Sequence, residues 1–509
     1  MRKVILTIVA MAAMAASAQT GVLPRSNAAS EGVSADAIAA WADSLMALEQ
    51  TEIHHLMVLR HGRVIAEAHP LPFRATDVHT LFSCSKTVTA LAIGCLVDEN
   101  RLRVTDRVAA LLPASMPDSI SPDLARMTVR ELLTMSAGIK PSLDFMLQGD
   151  DWLRPYFSKP VTNLGRFHYD SMCTFALSAI VQEITGETLL QYVDRKLFGP
   201  MEITVADWEQ TPLGFNTGGY GLRLQAESMA KIGLLILRRG NWQGKQLVSE
   251  EWIDEMTRKQ IDRDDLGNRA LDTNRGYCYQ MWRCLLDGAV RADGAYGQFI
   301  IISPERDLVV VINGMSERTH AELRLTWQQL IPGVMPDGEA AKSRLTDKQL
   351  ASRLAALKLP AAKGKSTSRV DRALAGEGLE FALDSNIRSY RSMRLVKVDN
   401  RNLRLMITDS HGTTASYDLS YGRWSEPRRA DVVPPYHNGA MPLLLQRIAG
   451  LPGRGGEFTV SGNYAWIADG TLHLSLLWNN YITRQDFTVT FDRDNPAGRP
   501  AVTLSELPR

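Results

Sequence analysis

Cysteine is scarce in this 509-residue chain. The five present, Cys84, Cys95, Cys173, Cys278 and Cys284, are too few and too irregularly spaced for a disulfide framework or a Cys-x-x-Cys metal site. Cys84 and Cys95 sit in an apolar stretch and read as small buried hydrophobes, while Cys278 and Cys284 are near enough to pair. A His-x-x-x-His spacing is also missing. His54 and His55 are neighbours and His61, His69 and His79 follow, but adjacent residues of a strand face opposite ways, so neither a metal site nor a cofactor is expected. Charge of one sign is not in excess, with 57 Lys plus Arg against 56 Asp plus Glu, which argues against a nucleic-acid partner. Internal repeats and low-complexity tracts are absent. No uncharged run approaches the roughly 20 apolar residues of a membrane-spanning helix, so no stable membrane span is expected.

What is present begins with Arg2 and Lys3, an apolar run over residues 4–16, and the small-residue site Ala16-Ser17-Ala18. This pattern predicts a signal peptide over residues 1–18 and a periplasmic or secreted mature chain. About 490 residues exceed one ordinary core, so two domains are expected. The first, over residues 19–345, is predicted to be α+β: an antiparallel sheet with a helical cluster. Its strands are a hairpin turning at His61-Gly62 and the β-branched runs on either side of residues 304–307. Helical patterns lie between, at residues 83–98, 174–185 and 227–239. A helix and a Pro-, Lys- and Ser-rich linker fill residues 346–373, and short alternating runs then predict a small all-β domain over 374–509.

Ser83 and Lys86 are three residues apart, so on a helix both project to one face. Serine is a poor nucleophile until a base takes its proton, and lysine can do so only if burial or nearby positive charge lowers its pKa. Val88, Leu91, Ala92, Cys95 and Leu96 would bury such a helix. Its N-terminal end would place the Ser83 amide near the positive end of the dipole, suited to an oxyanion. The same spacing recurs at Ser228 and Lys231, where Met229, Ile232, Leu235 and Ile236 read as the inward face of an amphipathic helix and Lys231 as outward.

Six ordered segments separate the two copies: VLRHGRVIAE, LFSCSK, MTVRELLTMSAGI, FHYDSMCTFALSAIVQEITGETL, GGYGLRLQAESMAKIGLLIL and GAYGQFIIISPERDLVVVI. Over roughly residues 35–330 the chain resembles the serine β-lactamase and penicillin-binding-protein-like hydrolases, in the branch of class C β-lactamases, esterases and D-aminopeptidases. The resemblance implies an acyl-enzyme on Ser83, with Lys86 and Tyr169 as general base and acid. A Tyr-x-Asn element falls on Tyr169-Asp170-Ser171, with Ser171 in place of the amide that would meet a substrate carbonyl. Adjacent ammonium charge is expected to favour the Tyr169 phenolate, though a tyrosine here also fits simple packing. The third element, usually His-x-Gly or Lys-Thr-Gly, falls on Ala292-Asp293-Gly294, so its basic group is missing. Gly294 and the Ala295 amide remain for the oxyanion, as a strand-edge glycine allows close approach of a ligand. Arg166 and Asp293 are candidates for compensating charge, and Trp152 for the cleft wall. His437-Asn438-Gly439 and Asn216-Thr217-Gly218 read as coincidences. The expected partner is a small-molecule or peptide substrate. The expected function is ester or amide hydrolysis, the alternatives being a D,D-peptidase or β-lactamase on cell-wall-like substrates and a non-catalytic ligand-binding protein. The C-terminal domain resembles the lipocalin-like or barrel-like appendages of some relatives.

Overall fold

The computed structural model describes residues 22–141, 149–203, 207–263, 272–386, 388–430, 458–495 and 497–507. The expected signal segment and His437-Asn438-Gly439 lie outside the described residues. The first part of the chain is built on a six-stranded antiparallel sheet. Its order is Arg63–Ala68, Thr51–Arg60, Leu308–Ser316, Gln298–Ser303, Val290–Gly294 and Trp282–Arg283. The first hairpin turns where expected, because His61 and Gly62 both adopt positive φ, at 50° and 75°, the twist that a two-residue hairpin loop requires.

Strand periodicity sorts the sheet's side chains into two cores. Leu56, Val58, Phe299, Ile301, Val310 and Ile312 pack on the helices Ala35–Met46 and Asp347–Ala355. Met57, Leu59, Ile300, Ile302, Val309 and Val311 face the helical cluster, which includes Ser85–Asp98, Ser171–Thr185, Ala226–Leu237 and Glu250–Thr257. Ser85–Asp98 is apolar on nearly every side and runs through the middle of this layer. Gly94 makes that possible, since a Cβ there would lie 2.3 Å from the Trp252 ring. All five cysteines are free and buried, so Cys278 and Cys284 do not pair.

The histidines depart from the sequence reading. A register shift between Ile53 and His55 places a β-bulge at His54, and the period of two is broken there. His54 and His55 therefore do not face opposite ways. Both are buried and both rings lie against Phe73, at 4.0 and 5.6 Å. His54 Nδ1 hydrogen-bonds His79 Nε2 at 2.9 Å, His55 Nδ1 meets His69 Nδ1 at 2.9 Å, and His79 Nδ1 donates to the Thr80 carbonyl at 2.9 Å. Among the described residues no group of three or more His, Cys, Asp or Glu is arranged to hold a metal ion.

Burial lowers the pKa of His54, His55 and His79, the last to about 4. The unfolded chain takes up these protons below about pH 6.5, whereas the folded chain resists further into the acid range at all three, and at His79 until about pH 4. Stability is then lost as pH falls through this window, by about 3 kcal/mol for His79 alone. Thermal midpoints measured from pH 7 to pH 4 are expected to fall, with a shallower slope in His79→Gln. An equal slope in the variant would contradict this.

The C-terminal part is a nine-stranded sheet. Its main path is Leu379–Ala382, Tyr390–Lys397, Asn402–Asp409, Thr414–Tyr421, Phe458–Ala468, Thr471–Trp478, Arg484–Thr490 and Ala501–Leu507. Leu395, Leu405, Leu419, Leu474 and Phe487 fill its interior, and an Arg499–Asp384 ion pair draws its two ends together. The chain between the domains is held at both ends. Leu359 donates to the Leu71 carbonyl at 2.8 Å, and Lys365 exchanges backbone hydrogen bonds with Trp466.

Candidate active site

Ser83 lies in a single helical turn, Phe82–Cys84, that feeds the helix Ser85–Asp98. The helix expected from residue 83 thus begins as a tighter turn that runs into the α-helix through Cys84 and Ser85, both right-handed helical, and Phe82 just before Ser83 has a φ of 45°, in the left-handed region unfavourable for a bulky side chain. Local bonds hold the turn. Cys84 N donates to Leu81 O at 3.1 Å, Ser85 Oγ donates to Phe82 O at 2.6 Å, and Leu222 N donates to Ser85 Oγ at 3.3 Å.

Lys86 follows at the start of the buried helix, its side chain 1 % exposed. Its Nζ donates to Ser83 Oγ at 3.0 Å, to Ser171 Oγ at 3.0 Å and to the Gly219 carbonyl at 2.7 Å. Desolvation lowers its pKa to about 7, opposed only in part by the nearby Asp170 carboxylate. An amine poised near neutrality and bonded to a hydroxyl can take that hydroxyl's proton.

Tyr169 completes the group. Its ring stacks on Trp282 at 5.4 Å, meets Tyr277 edge-on at 6.1 Å, and lies 5.0 Å from Lys86 Nζ. Its hydroxyl shares a hydrogen bond with Ser83, which lowers the phenol's pKa, but burial outweighs this and pushes it up. The expected drift toward phenolate is therefore corrected, because desolvation of the buried phenol disfavours its charged form. At neutral pH Tyr169 is a neutral phenol able to pass a proton rather than a resident base. Asp170, 6 % exposed, caps the helix Ser171–Thr185 by accepting from Met172 N at 2.9 Å, and also accepts from Tyr156 OH at 2.8 Å. Ser171 then begins that helix facing Lys86.

The strand Val290–Gly294 borders Ser83 and puts the Ala295 amide just past its end. Gly294 is required by the chain itself, since a Cβ there would sit 2.3 Å from the Leu81 carbonyl oxygen. Ala292 is buried, and the neighbouring Arg291 is fully buried, its Nε 2.8 Å from Asp293 Oδ2. That ion pair engages the Asp293 charge, and Arg166 is exposed. Trp152 packs edge-on to Phe175 at 5.7 Å within the helical core.

The second Ser-x-x-Lys copy is not a site of this kind. Lys231 is buried, not outward as expected, because its Nζ donates to the carbonyls of Met201 at 2.8 Å and Glu202 at 3.0 Å. Residues not singled out from sequence also shape the site. Gly219 supplies a carbonyl to Lys86, and a Cβ on it would approach Nζ to 3.3 Å. Asn216-Thr217-Gly218, read as coincidence, leads directly into this contact, with Thr89 Oγ1 donating to Gly218 O at 2.9 Å. Trp282 and Tyr277 frame Tyr169. A glycine pair so close before a strand was the available signal for Gly219, but nothing in the sequence tells which carbonyl turns inward.

Comparison with known proteins matches residues 39–331 to the beta-lactamase family. The 6-aminohexanoate-dimer hydrolase of Paenarthrobacter ureafaciens is 28 % identical over 302 residues, which cover 52 % of this chain and 73 % of that protein. Among solved structures, the putative 6-aminohexanoate-dimer hydrolase from Bacillus anthracis has a TM-score of 0.49 at 17 % identity, covering 61 % of this chain and 86 % of its own. The octameric penicillin-binding protein homologue from Pyrococcus abyssi has a TM-score of 0.47 at 17 % identity, covering 92 % and 98 %.

Proposed function

The chain belongs to the beta-lactamase family and is a hydrolase, and from that premise we propose that it cleaves an ester or amide bond of a small substrate through an acyl-enzyme on Ser83. The observation that carries the reading is the 3.0 Å hydrogen bond from the buried Lys86 Nζ to Ser83 Oγ. Neutral Lys86 takes the hydroxyl proton as Ser83 Oγ bonds to the substrate carbonyl carbon. The amides of Ser83 and Ala295 hold the resulting oxyanion. As the intermediate collapses, the bond to the leaving alcohol or amine breaks, and the proton held by Lys86 reaches that group by way of the Tyr169 hydroxyl. Water then attacks the acyl-enzyme by the same route and restores Ser83.

Substrate preference follows from what borders the strand. With Ala292 in place of a basic residue and Arg291 paired inward to Asp293, the site offers little to a substrate carboxylate. This favours short acyl esters and small amides over carboxylate-bearing β-lactams, and the 6-aminohexanoate-dimer hydrolase relative supports only the amide-cleaving part of this reading, since that dimer itself carries a carboxylate. A panel of short esters, small amides and nitrocefin tests the reading. The expected result is that kcat/KM on the best ester or amide exceeds that on nitrocefin by about 100-fold. Nitrocefin turnover as fast as any ester would contradict it. The profile of kcat/KM against pH is expected to rise through an acid limb near the Lys86 value of about 7, since the protonated amine cannot accept the serine proton.

A further inference from the structure

The turn at residues 479–483, between the strands Thr471–Trp478 and Arg484–Thr490, reaches out of the C-terminal sheet to the segment that carries Ser83. The Asn480 carbonyl accepts from Thr80 N at 3.1 Å, and Asn480 Nδ2 donates to Val78 O at 3.2 Å. Its Oδ1 is in turn anchored within the C-terminal sheet by Thr459 N at 2.7 Å and Thr459 Oγ1 at 2.9 Å. Next to it Tyr481 is buried, with its ring 5.9 Å from that of Phe82. Phe82 in turn packs on Tyr296 at 5.5 Å. The base of the turn is pinned to the first domain by Arg484 Nη1, 2.5 Å from Glu52 Oε1.

Two of these aromatic residues hold an unusual backbone. Phe82, immediately before Ser83, has φ 45°, and Tyr296, immediately after Ala295, has φ 64°. Neither is glycine, and residues held in such conformations persist only where their surroundings over-determine them. The peptide joining Phe82 to Ser83 carries the Ser83 amide, so relaxation of Phe82 would turn both the hydroxyl and that amide.

We propose that the turn of the C-terminal domain belongs to the catalytic unit, with Asn480 and Tyr481 as positioning residues that clamp Phe82 and thereby aim Ser83 and its amide. Both act through the segment that carries Ser83. Asn480 ties the backbone leading to Ser83 to the second sheet, and Tyr481 extends a cluster of tilted rings, Tyr481–Phe82–Tyr296, that joins the residue before Ser83 to the residue after Ala295. The inference rests on Ser83 being the nucleophile.

The full-length chain tests it through the rate of fluorophosphonate labelling at Ser83, together with kcat and KM on a short p-nitrophenyl ester. Tyr481→Ala and Asn480→Ala are expected to slow labelling and lower kcat by about 10- to 100-fold while KM changes by less than about threefold. Tyr481→Phe, which keeps the ring, is expected to restore the rate. Ile467→Ala, exposed on the Phe458–Ala468 strand, is expected to leave it unchanged. Should Tyr481→Ala fail to fold, Tyr481→Leu carries the same expectation alongside Asn480→Ala. Labelling at the wild-type rate in both Tyr481→Ala and Asn480→Ala, or no recovery in Tyr481→Phe, overturns the inference while leaving the nucleophile in place. A wild-type chain that takes no label at Ser83 overturns both.

Discussion

Ser83→Ala is expected to reduce turnover of the best ester or amide by at least about 10⁴-fold, with substrate binding little changed. The reason is specific to the geometry. Ser83 Oγ accepts the Lys86 hydrogen bond and is hydrogen-bonded to Tyr169, and without it the proposed covalent route is lost. Ser171, also 3.0 Å from Lys86 Nζ, tests that specificity. It begins the helix Ser171–Thr185 and not the turn that carries the Ser83 amide, so Ser171→Ala is expected to change kcat by no more than about tenfold. Comparable losses in the two variants, measured as kcat on one substrate, would contradict the assignment of Ser83.

Loss of the amine is the second large effect. Lys86→Met is expected to lower kcat by about 10³- to 10⁴-fold, and Lys86→Arg to fare no better, because a guanidinium stays protonated and cannot accept the serine proton. A pH signature separates this role from simple packing. The folded Lys86 titrates near about 7 and the unfolded side chain near 10.5, so between these values the unfolded chain binds more protons. Stability therefore rises with pH across that window, and Lys86→Met is expected to flatten the rise. Wild-type activity in Lys86→Arg would contradict the base assignment.

How far the sequence reached depended on the range of the interaction. Spacing along one helix placed Ser83 and Lys86 on one face, and the two predicted hairpins of the main sheet turned near their expected residues because local φ preferences at His61-Gly62 and around Pro304 decide them. The burial of the helix Ser85–Asp98 was legible for the same reason, as a run of apolar residues at helical spacing.

What stayed hidden required partners far away in the chain. Lys231 reads as solvent-facing until the carbonyls of Met201 and Glu202 are folded against it. The His54 bulge exists only in register with the strand Leu308–Ser316, so alternation alone misplaced both histidines. Gly294 was placed by its motif, but its close contact with Leu81 O, over 200 residues earlier, was not visible. Asn480 is 402 residues from Val78, and no local pattern signals that bond. The direction of the Tyr169 shift was misread because it is set by how deeply the folded chain buries the phenol, which spacing along the chain does not show.

The central claim is that Ser83, activated by Lys86, carries the acyl group. Intact-mass analysis and peptide mapping after incubation with a fluorophosphonate probe test it most directly. The account predicts one added probe mass, mapped to Ser83, appearing faster as pH rises through about 7 and absent from Ser83→Ala. A label on another residue, or equal labelling of Ser83→Ala, would contradict it.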